Sequence, residues 1–264
     1  MEPNFVGAVA ALVGPDDRSR QMPAQVTNLI LRGIPAESRK RLMSNMETLH
    51  LSAKHVLREP GTPIDFVYFP RTCILSLLVV AESGHAVETA TIGREGAFGL
   101  VAGIRSGESF PRCVVQIAGD ADRVLVSHFR REFDRHALVQ RVVLSFIESL
   151  LVQVQQSVLC GTLHPIQARL ARFLLMMQDR AGTDSFAFTQ EFLSNVLGVN
   201  RSTLTGAAGA LQSNELISYR RGRVSIRDRI GLERASCECY RVLRDQFERL
   251  LPFAGPGMHD RKRR

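Results

Sequence analysis

The sequence contains little cysteine and no long apolar run. Its cysteines are few and odd in number: Cys73, Cys113, Cys160, Cys237 and Cys239. Such a set forms no disulfide framework and is typical of a reducing compartment. Ser76 and Glu148 interrupt the longest apolar runs, so no segment approaches the roughly 20 apolar residues that cross a bilayer. The apolar stretch at positions 5–13 is not preceded by basic residues and is not followed by a signal-peptidase cleavage pattern. We therefore predict a mobile tail and not a signal peptide. We therefore expect a cytoplasmic protein that does not enter a membrane.

Catalytic constellations are also absent from the sequence. Neither a Ser-His-Asp nor a Cys-His arrangement is evident. A metal-dependent barrel enzyme is one alternative, with His85 and Glu88 as ligands, but such barrels usually need two or three clustered histidines and this segment offers one. We therefore predict that the protein is not an enzyme and has no catalytic residues.

The remaining metal-type side chains give no clear zinc pattern. Cys160 and His164 are four residues apart and can meet on one helical face, but we expect ordinary packing at the end of the long helix and not metal binding. Cys237 and Cys239 are separated by one residue on a predicted helix, so they point in different directions and make a poor pair of zinc ligands. The sequence thus predicts no metal site and no cofactor.

Basic residues are concentrated in the C-terminal part of the chain. The 264 residues include 34 Lys plus Arg and 26 Asp plus Glu, for a net charge of +8. Residues 165–264 hold 17 basic and 10 acidic residues, whereas residues 1–164 hold 17 and 16. A basic module after a nearly neutral one predicts separate functions and favours a nucleic-acid partner for the basic one. Charge alone is equally consistent with a solvated basic face.

Residues 189–212 read TQEFLSNVLGVNRSTLTGAAGALQ, which predicts a helix-turn-helix. Apolar residues recur at helical spacing in both halves, namely at Phe192, Leu193, Val196, Leu197, Leu204, Ala207, Ala208 and Leu211. Gly198 can end the first helix in a left-handed conformation, and Asn200 can cap the second. The start of the second helix then exposes donors that can face a DNA groove, namely Arg201, Ser202, Thr203 and Thr205.

A different pattern occupies positions 49–126. Short runs rich in Val, Ile and aromatic residues alternate there with turns that contain Gly, Pro and Asp. Closely spaced runs of this kind predict about eight strands of a sandwich or barrel.

A long helix is predicted between these two regions, over positions 133–159. Its apolar residues are spaced by four, three, four and four, at Val139, Val143, Phe146, Leu150 and Val154. About 27 helical residues extend about 40 Å. Val142, Ile147 and Leu151 widen the stripe, so that the helix can face both its own barrel and a partner. We expect a two-fold dimer, with a long core helix in a monomer as the alternative.

This order of parts resembles that of Crp/Fnr-type transcriptional regulators over about positions 28–242. The most similar stretches are VYFP at 67–70, TIGREGAFGL at 91–100, CGTLHPIQARLARFLL at 160–175 and TQEFLSNVLGVNRSTLT at 189–205. The resemblance implies an α+β protein with an N-terminal β jelly-roll, or double-stranded β-helix, barrel, a long dimerisation helix and a C-terminal winged helix-turn-helix. The implied divisions are a flexible tail at 1–26, a cyclic nucleotide-binding-like sensor barrel at 27–132, a dimerisation helix at 133–162, a DNA-binding domain at 163–245 and a basic tail at 246–264.

The resemblance also implies roles for individual residues in DNA binding. Thr189 and Gln190 match residues that hold the DNA backbone, and such contacts set register without reading sequence. Arg201 matches an arginine that can pair with a guanine edge. Ser202 stands where the family usually has Glu, and Gly206 where it often has Arg, so we expect an unusual target site. The segment ELISYRRGRVSIRD resembles the wing, whose phosphate-binding arginines would be Arg220, Arg221 and Arg223.

The implied effector site is less regular. Arg112 matches the family's phosphate arginine, and Gly99 lies in the matching turn, but the ribose carboxylate position falls on Leu100, which cannot accept hydrogen bonds. A shifted alignment restores the carboxylate with Glu95 but displaces Gly99. Alternatively, Arg112 pairs with a barrel carboxylate or stays exposed. We expect that the barrel does not bind cyclic AMP in the usual way and that the small-molecule effector is unknown.

Together these features predict a homodimeric transcriptional regulator that binds double-stranded DNA. Recognition helices about 34 Å apart would read a palindromic promoter site, with RNA polymerase as a further partner. A signal in the barrel would shift the dimer helices and so the distance between the two Arg201 side chains. A cyclic nucleotide-binding module that controls something other than transcription is an alternative, although such a module has no use for a groove-reading helix.

Overall fold

The computed structural model describes residues 28–104 and 107–251. The predicted N-terminal tail and the end of the basic tail lie outside the described residues. The first half begins with two short helices, α1 (Leu29–Gly33) and α2 (Ala36–Met43). Seven strands and one short helix follow: β1 (Glu47–Leu51), β2 (Val56–Arg58), β3 (Phe66–Pro70), β4 (Ile74–Val80), β5 (Ala86–Ile92), α3 (Leu100–Ile104), β6 (Arg112–Ile117) and β7 (Gly119–Leu125). The described residues thus contain seven barrel strands where the sequence predicted about eight.

These strands form the two antiparallel sheets of a jelly-roll barrel. The sheet orders are β1-β7-β3 and β2-β6-β4-β5. Side chains from both sheets meet in one core, with Val67 and Phe69 from the first and Leu75 and Val115 from the second. Strand β4 is buried on both faces over its first four residues, because Leu75 faces the barrel core while Ile74 joins the core of the C-terminal domain. The barrel and the C-terminal domain therefore pack directly on each other.

The predicted long helix begins later than expected. Helix α4 (Val126–Arg135) ends before His136, whose backbone is extended, and helix α5 runs over Ala137–Leu163. Residues 133–135 therefore belong to α4 and not to the helix predicted for dimerisation. Arg41 of α2 bridges to Glu132 at 2.8 Å and contacts His136, which fixes the break between the two helices.

The apolar stripe predicted for dimerisation lies mainly on the chain's own barrel. Val139, Val143 and Phe146 are at most 2% exposed and belong to the barrel core, so the prediction that these three contact a partner is wrong. Leu150 and Val154 are half-buried against the same core. Apolar residues at helical spacing bury one face of a helix, and most of that face of α5 packs on the barrel.

Helix α5 is long and apolar enough to cross a membrane by composition, with a mean hydropathy of 1.6 over its most apolar 18 residues. This property was not expected from the sequence. One third of these residues are buried within the chain, and the polar side chains of Ser149 and Gln153 lie inside the protein. We therefore interpret the apolarity of α5 as packing on protein.

The C-terminal half is a winged helix-turn-helix followed by a returning helix. Its elements are α6 (Ile166–Ala181), β8 (Ser185–Phe186), α7 (Gln190–Leu197), α8 (Arg201–Ser213), β9 (Ile217–Arg220), β10 (Arg223–Ile226), α9 (Arg229–Ala235) and α10 (Cys239–Leu250). Strands β8, β10 and β9 form a small antiparallel sheet beside the helices. Helix α10 returns to α5, where Leu243, Phe247 and Leu251 enter the barrel core. The predicted tail from position 246 is therefore wrong up to 251, because these residues continue an amphipathic helix.

Candidate nucleic-acid interface

Two capped helices and a glycine turn form the predicted helix-turn-helix. The Thr189 hydroxyl accepts a hydrogen bond from the backbone N–H of Phe192 at 3.1 Å and so caps α7. Gly198 ends α7 with φ of +63°, in the left-handed region that favours glycine. The side chain of Asn200 accepts from the N–H of Thr203 at 2.8 Å and caps α8. The predictions for Gly198 and Asn200 are confirmed.

The two helices share the small core that the spacing predicted. Leu193, Leu204 and Leu211 are fully buried there. Ala207 and Ala208 are also buried, and because they are small, α8 can pack closely on α6. Phe192 is half-buried and stacks on Phe188, with ring centroids 5.2 Å apart. This core buries the inner face of α8 and leaves its outer face exposed.

All nine residues predicted to contact DNA are exposed. They lie at the start of α7, at the start of α8 and on the wing: Thr189, Gln190, Arg201, Ser202, Thr203, Thr205, Arg220, Arg221 and Arg223. An open concave surface joins the three regions, lined among others by Gln190, Arg201, Tyr219 and Arg221. We call these nine residues the DNA-facing surface, after the role predicted for them from the sequence. Four of the nine, Thr189, Gln190, Arg201 and Arg221, line the concave surface together.

Two of the predicted hydroxyl donors are already engaged within the protein. The Thr205 hydroxyl donates to the carbonyl of Arg201 at 2.8 Å, and the Ser202 hydroxyl donates to the Asn200 side chain at 2.8 Å. Their oxygens remain able to accept hydrogen bonds, but as donors they must first break these contacts. The prediction that both serve as ready donors is therefore too simple.

Arg201 has an acidic neighbour that was not predicted from the sequence. Its guanidinium lies 3.2 Å from the carboxylate of Glu191, and both side chains are about two-thirds exposed, at 64% and 68%. Such exposed pairs contribute little, on the order of 0–1 kcal/mol. Arg201 can thus exchange Glu191 for a base edge or a phosphate at small cost.

The wing is a tight hairpin with an arginine at its tip. Strands β9 and β10 pair with Arg220 opposite Arg223, and only Arg221 and Gly222 lie between them. Both turn residues have positive φ, +48° and +73°, as in the hairpin turns that match strand twist. The Tyr219 hydroxyl donates to the carbonyl of Phe188 at 3.0 Å and anchors the hairpin to the domain.

The structure does not bring the four predicted effector residues into one site. Arg112 donates to Glu59 at 2.7 Å, which is the barrel-carboxylate alternative. Glu95 is 1% exposed and forms an ion pair with Arg180 of α6 at 2.6 Å, so its assignment to an effector is wrong. Leu100 is 2% exposed in the barrel core and offers no ligand contact. Gly99 has φ of +93°, and a Cβ there would lie 2.6 Å from the Phe66 carbonyl oxygen, so glycine is needed for the turn itself.

A group of metal-type side chains was not predicted from the sequence. Cys237 lies in the loop between α9 and α10, and not on a helix as expected. The ligand atoms of Cys160, His164, Cys237 and Cys239 lie within 4.8 Å of one another. Sequence spacing could not show this, because the two pairs are more than 70 residues apart. Among the described residues, His85 and Glu88 join no such group.

Comparisons with known proteins agree with this architecture. Residues 168–235 match the family model of the Crp-like helix-turn-helix domain. FixK2 from Bradyrhizobium japonicum is similar in structure at 18% identity and a TM-score of 0.63, covering 73% of this chain and 98% of FixK2. The c-di-GMP-responsive global regulator CLP of Xanthomonas campestris gives 12% identity and a TM-score of 0.61, with 74% and 100% covered.

A Crp/Fnr-family transcriptional regulator from Thermus thermophilus gives 20% identity and a TM-score of 0.60, with 72% of this chain and 98% of the other covered. No curated protein sequence matches the chain. At these identities the likeness establishes the fold, and the family model establishes the helix-turn-helix. The chain therefore carries a Crp-like helix-turn-helix domain on the fold of the Crp/Fnr-type transcriptional regulators.

Proposed function

We propose that this protein is a sequence-specific, DNA-binding transcriptional regulator that acts as a homodimer on a palindromic promoter site. The observation that carries the proposal is the exposed concave surface that Arg201, the start of α7 and Arg221 at the wing tip line together, beside a capped helix-turn-helix. In this role Arg201 reads a base edge, while Thr189, Gln190 and the wing arginines hold phosphates. The protein works in the cytoplasm as a regulator and not as an enzyme.

A second apolar face of α5 supports the dimer. Leu144, Leu151 and Val158 are spaced by seven and are 54%, 55% and 67% exposed. Ile147 and Val154 fall between them and are partly exposed. These five residues, which we call the exposed seam, alternate by three and four, the spacing that pairs two helices side by side. Two α5 helices joined along the exposed seam would give two DNA-binding domains related by a two-fold axis.

The sensor barrel in this proposal does not bind cyclic AMP in the usual way. The buried Leu100 cannot accept hydrogen bonds from a ribose, and Arg112 is already paired with Glu59. A different signal, or the amount of the protein itself, sets its activity. At the promoter the DNA-bound dimer contacts RNA polymerase.

The experiment that tests this function is the selection of bound duplexes from a random DNA pool, with and without cyclic AMP. We expect an inverted repeat whose half-sites lie about one helical turn, or roughly 34 Å, apart. The expected repeat is independent of the nucleotide. Arg201→Ala should relax the preference at one base pair in each half-site, whereas Arg241→Ala, which removes an exposed arginine of α10, should not. Enrichment of no sequence in either condition would contradict the proposal.

A further inference from the structure

Four metal-type side chains converge where the long helix meets the DNA-binding domain. Cys160 lies in the last turn of α5, His164 follows the end of that helix, Cys237 lies in the loop before α10, and Cys239 is the first residue of α10. The Sγ atoms of Cys160 and Cys237 are 3.5 Å apart, and Nδ1 of His164 is 3.3 Å from Sγ of Cys239. Folding thus joins two short motifs, C-x3-H and C-x-C, at one point.

These distances suit a tetrahedral zinc ion. Zinc binds thiolate sulfur at about 2.3 Å and imidazole nitrogen at about 2.0–2.1 Å. Two sulfurs at tetrahedral angles around such an ion are therefore about 3.8 Å apart. All four ligand atoms lie within 4.8 Å of one another, so shifts of an ångström or less bring them to that geometry. Three thiolates and an imidazole are ligands that zinc prefers and that magnesium or calcium does not.

Polar neighbours orient the ligand atoms. Nε2 of His164 lies 3.1 Å from a carboxylate oxygen of Glu238, an arrangement in which Nε2 carries the proton and Nδ1 is left free to bind a metal. The side-chain amide of Gln156 donates to Sγ of Cys239 at 3.1 Å. A carboxylate behind a ligating histidine is the usual outer support of a protein zinc site.

Charge and burial also fit a bound cation. Cys160 and Cys239 are fully buried, and Cys237 is 7% exposed. Three thiolates around Zn²⁺ carry a net charge of −1, which is costly in such surroundings unless a positive group lies nearby. Arg169 and Arg172 of α6 supply this charge, since both interact electrostatically with Cys160.

We propose that Cys160, His164, Cys237 and Cys239 bind one zinc ion that fixes the end of α5 to the start of α10. The four protein ligands leave no open coordination position, so the site is structural and not catalytic. The site includes His164, which together with Pro165 forms the two-residue link between α5 and α6. Arg169 beside it donates to the carbonyl of Leu197, the last residue of α7, which places the ion one contact away from the helix-turn-helix. The site does not depend on the proposed DNA target.

The first test is the metal content of the full chain, purified under reducing conditions from zinc-supplemented cultures. We expect one zinc per chain by mass spectrometry. The double variant Cys160→Ala/Cys237→Ala should lose the zinc. Cys113→Ala is the matched control, because it removes a buried thiol of the barrel core outside the site and should retain the full content. Glu238→Gln should weaken zinc affinity about 10–100-fold in a competition assay with a chelating dye.

The second test uses only wild-type protein, so its result does not depend on whether a variant folds. Wild-type protein stripped of zinc and loaded with Co²⁺ should show thiolate-to-cobalt charge-transfer absorption and the intense d–d bands of a tetrahedral site. Removal of zinc should also increase hydrogen exchange at the end of α5 and in the α9–α10 loop.

Several results would overturn the proposal. Wild-type protein that binds no zinc after reconstitution, a weak octahedral cobalt spectrum, or full zinc content in the double variant would each remove the site. Bound iron in place of zinc, or a Cys160–Cys237 disulfide in reduced preparations, would refute the assignment to zinc. Unchanged hydrogen exchange on zinc removal would show that the ion does not fix the two helices.

Discussion

Glu95 of the barrel and Arg180 of α6 form a buried ion pair, with Nε and Oε1 2.6 Å apart and at most 5% of either side chain exposed. The pair is embedded in further hydrogen bonds. Glu95 also accepts from the N–H of Gly93 at 3.0 Å, and Arg180 donates to Gln153 of α5 at 2.9 Å. Gln153 in turn donates to the carbonyl of Thr91 at 3.0 Å. One polar network thus connects the barrel, the long helix and the DNA-binding domain.

Loss of one partner of this pair should destabilise the protein strongly. Glu95→Gln leaves Arg180 buried without its counter-charge, which costs about 3–5 kcal/mol in the free energy of unfolding. Urea denaturation followed by circular dichroism measures the change. Asp245→Asn breaks an exposed pair with Arg241 and should cost less than about 1 kcal/mol. Equal losses in the two variants would contradict a structural role for the buried pair.

Stability should depend on pH through Glu88 of β5. Burial raises the pKa of Glu88 to about 7, although hydrogen bonds from Ser76 and Gln116 and the charges of Arg172 and Arg180 oppose the increase. The folded state therefore holds a proton that the unfolded state releases near pH 4.5. Below pH 4.5 Glu88 is protonated in both states and does not reduce the free energy of unfolding. As the pH rises from 4.5 towards 7, the free energy of unfolding falls with a slope of at most about 1.4 kcal/mol per pH unit.

The measurement for Glu88 is the free energy of unfolding of wild type and Glu88→Gln between pH 4.5 and 8. Because the amide cannot ionise, we expect the difference between the two proteins to change across this range in favour of the variant at the higher pH. A difference that stays constant from pH 4.5 to 8 would mean that Glu88 keeps an ordinary pKa.

Two glycines should respond in opposite ways to alanine. A Cβ at Gly96 would lie 2.2 Å from the ring of Phe146, so Gly96→Ala forces α5 away from the barrel and should cost about 1–3 kcal/mol. Gly206 is exposed in α8, and apart from its chain neighbours and the adjacent backbone of its own helix no atom lies within 4 Å of the point that an alanine Cβ would occupy there. Gly206→Ala should therefore stabilise the helix by roughly 0.5–1 kcal/mol. Thermal unfolding of both variants checks the prediction, which fails if Gly96→Ala is as stable as wild type.

The proposed dimer should depend on the exposed seam and not on Val139, Val143 and Phe146, the part of the stripe that the barrel core buries. Leu151→Glu places a charge at the centre of the seam and should convert a dimer to a monomer, because a buried unpaired carboxylate is costly. Leu138→Glu is the control, since Leu138 is 52% exposed on α5 but lies off the seam. Sedimentation equilibrium distinguishes the two masses. A dimer that persists in Leu151→Glu would refute this interface.

The arginines of the DNA-facing surface should fall into two groups, those that contact base edges and those that contact phosphates. Arg201→Ala should weaken binding to the selected site by about 1–3 kcal/mol and relax one position. Arg221→Ala should weaken binding about equally for all sequences and reduce the salt slope by about one unit per domain. Fluorescence anisotropy at several salt concentrations measures both effects. If Arg221→Ala alters sequence preference and Arg201→Ala does not, the two roles are reversed.

The sequence by itself determined the local elements and their order. Spacing of apolar residues in α7 and α8, together with Gly198 and Asn200, defines a helix-turn-helix because caps and helical periodicity act within a few residues. The long apolar helix and the exposed cations at the start of α8 follow from the same short-range rules. The resemblance to the Crp/Fnr regulators then supplied the arrangement of the parts.

Only the tertiary structure decided which faces meet. Periodicity shows that α5 has an apolar stripe but not what covers it. In the structure Val139, Val143 and Phe146 pack in the barrel core and not against a partner. The sequence allows Glu95 to serve an effector site, but the fold pairs its carboxylate with Arg180. The cluster of Cys160, His164, Cys237 and Cys239 was likewise hidden, since contacts between residues more than 70 positions apart depend on how the elements pack and not on their spacing.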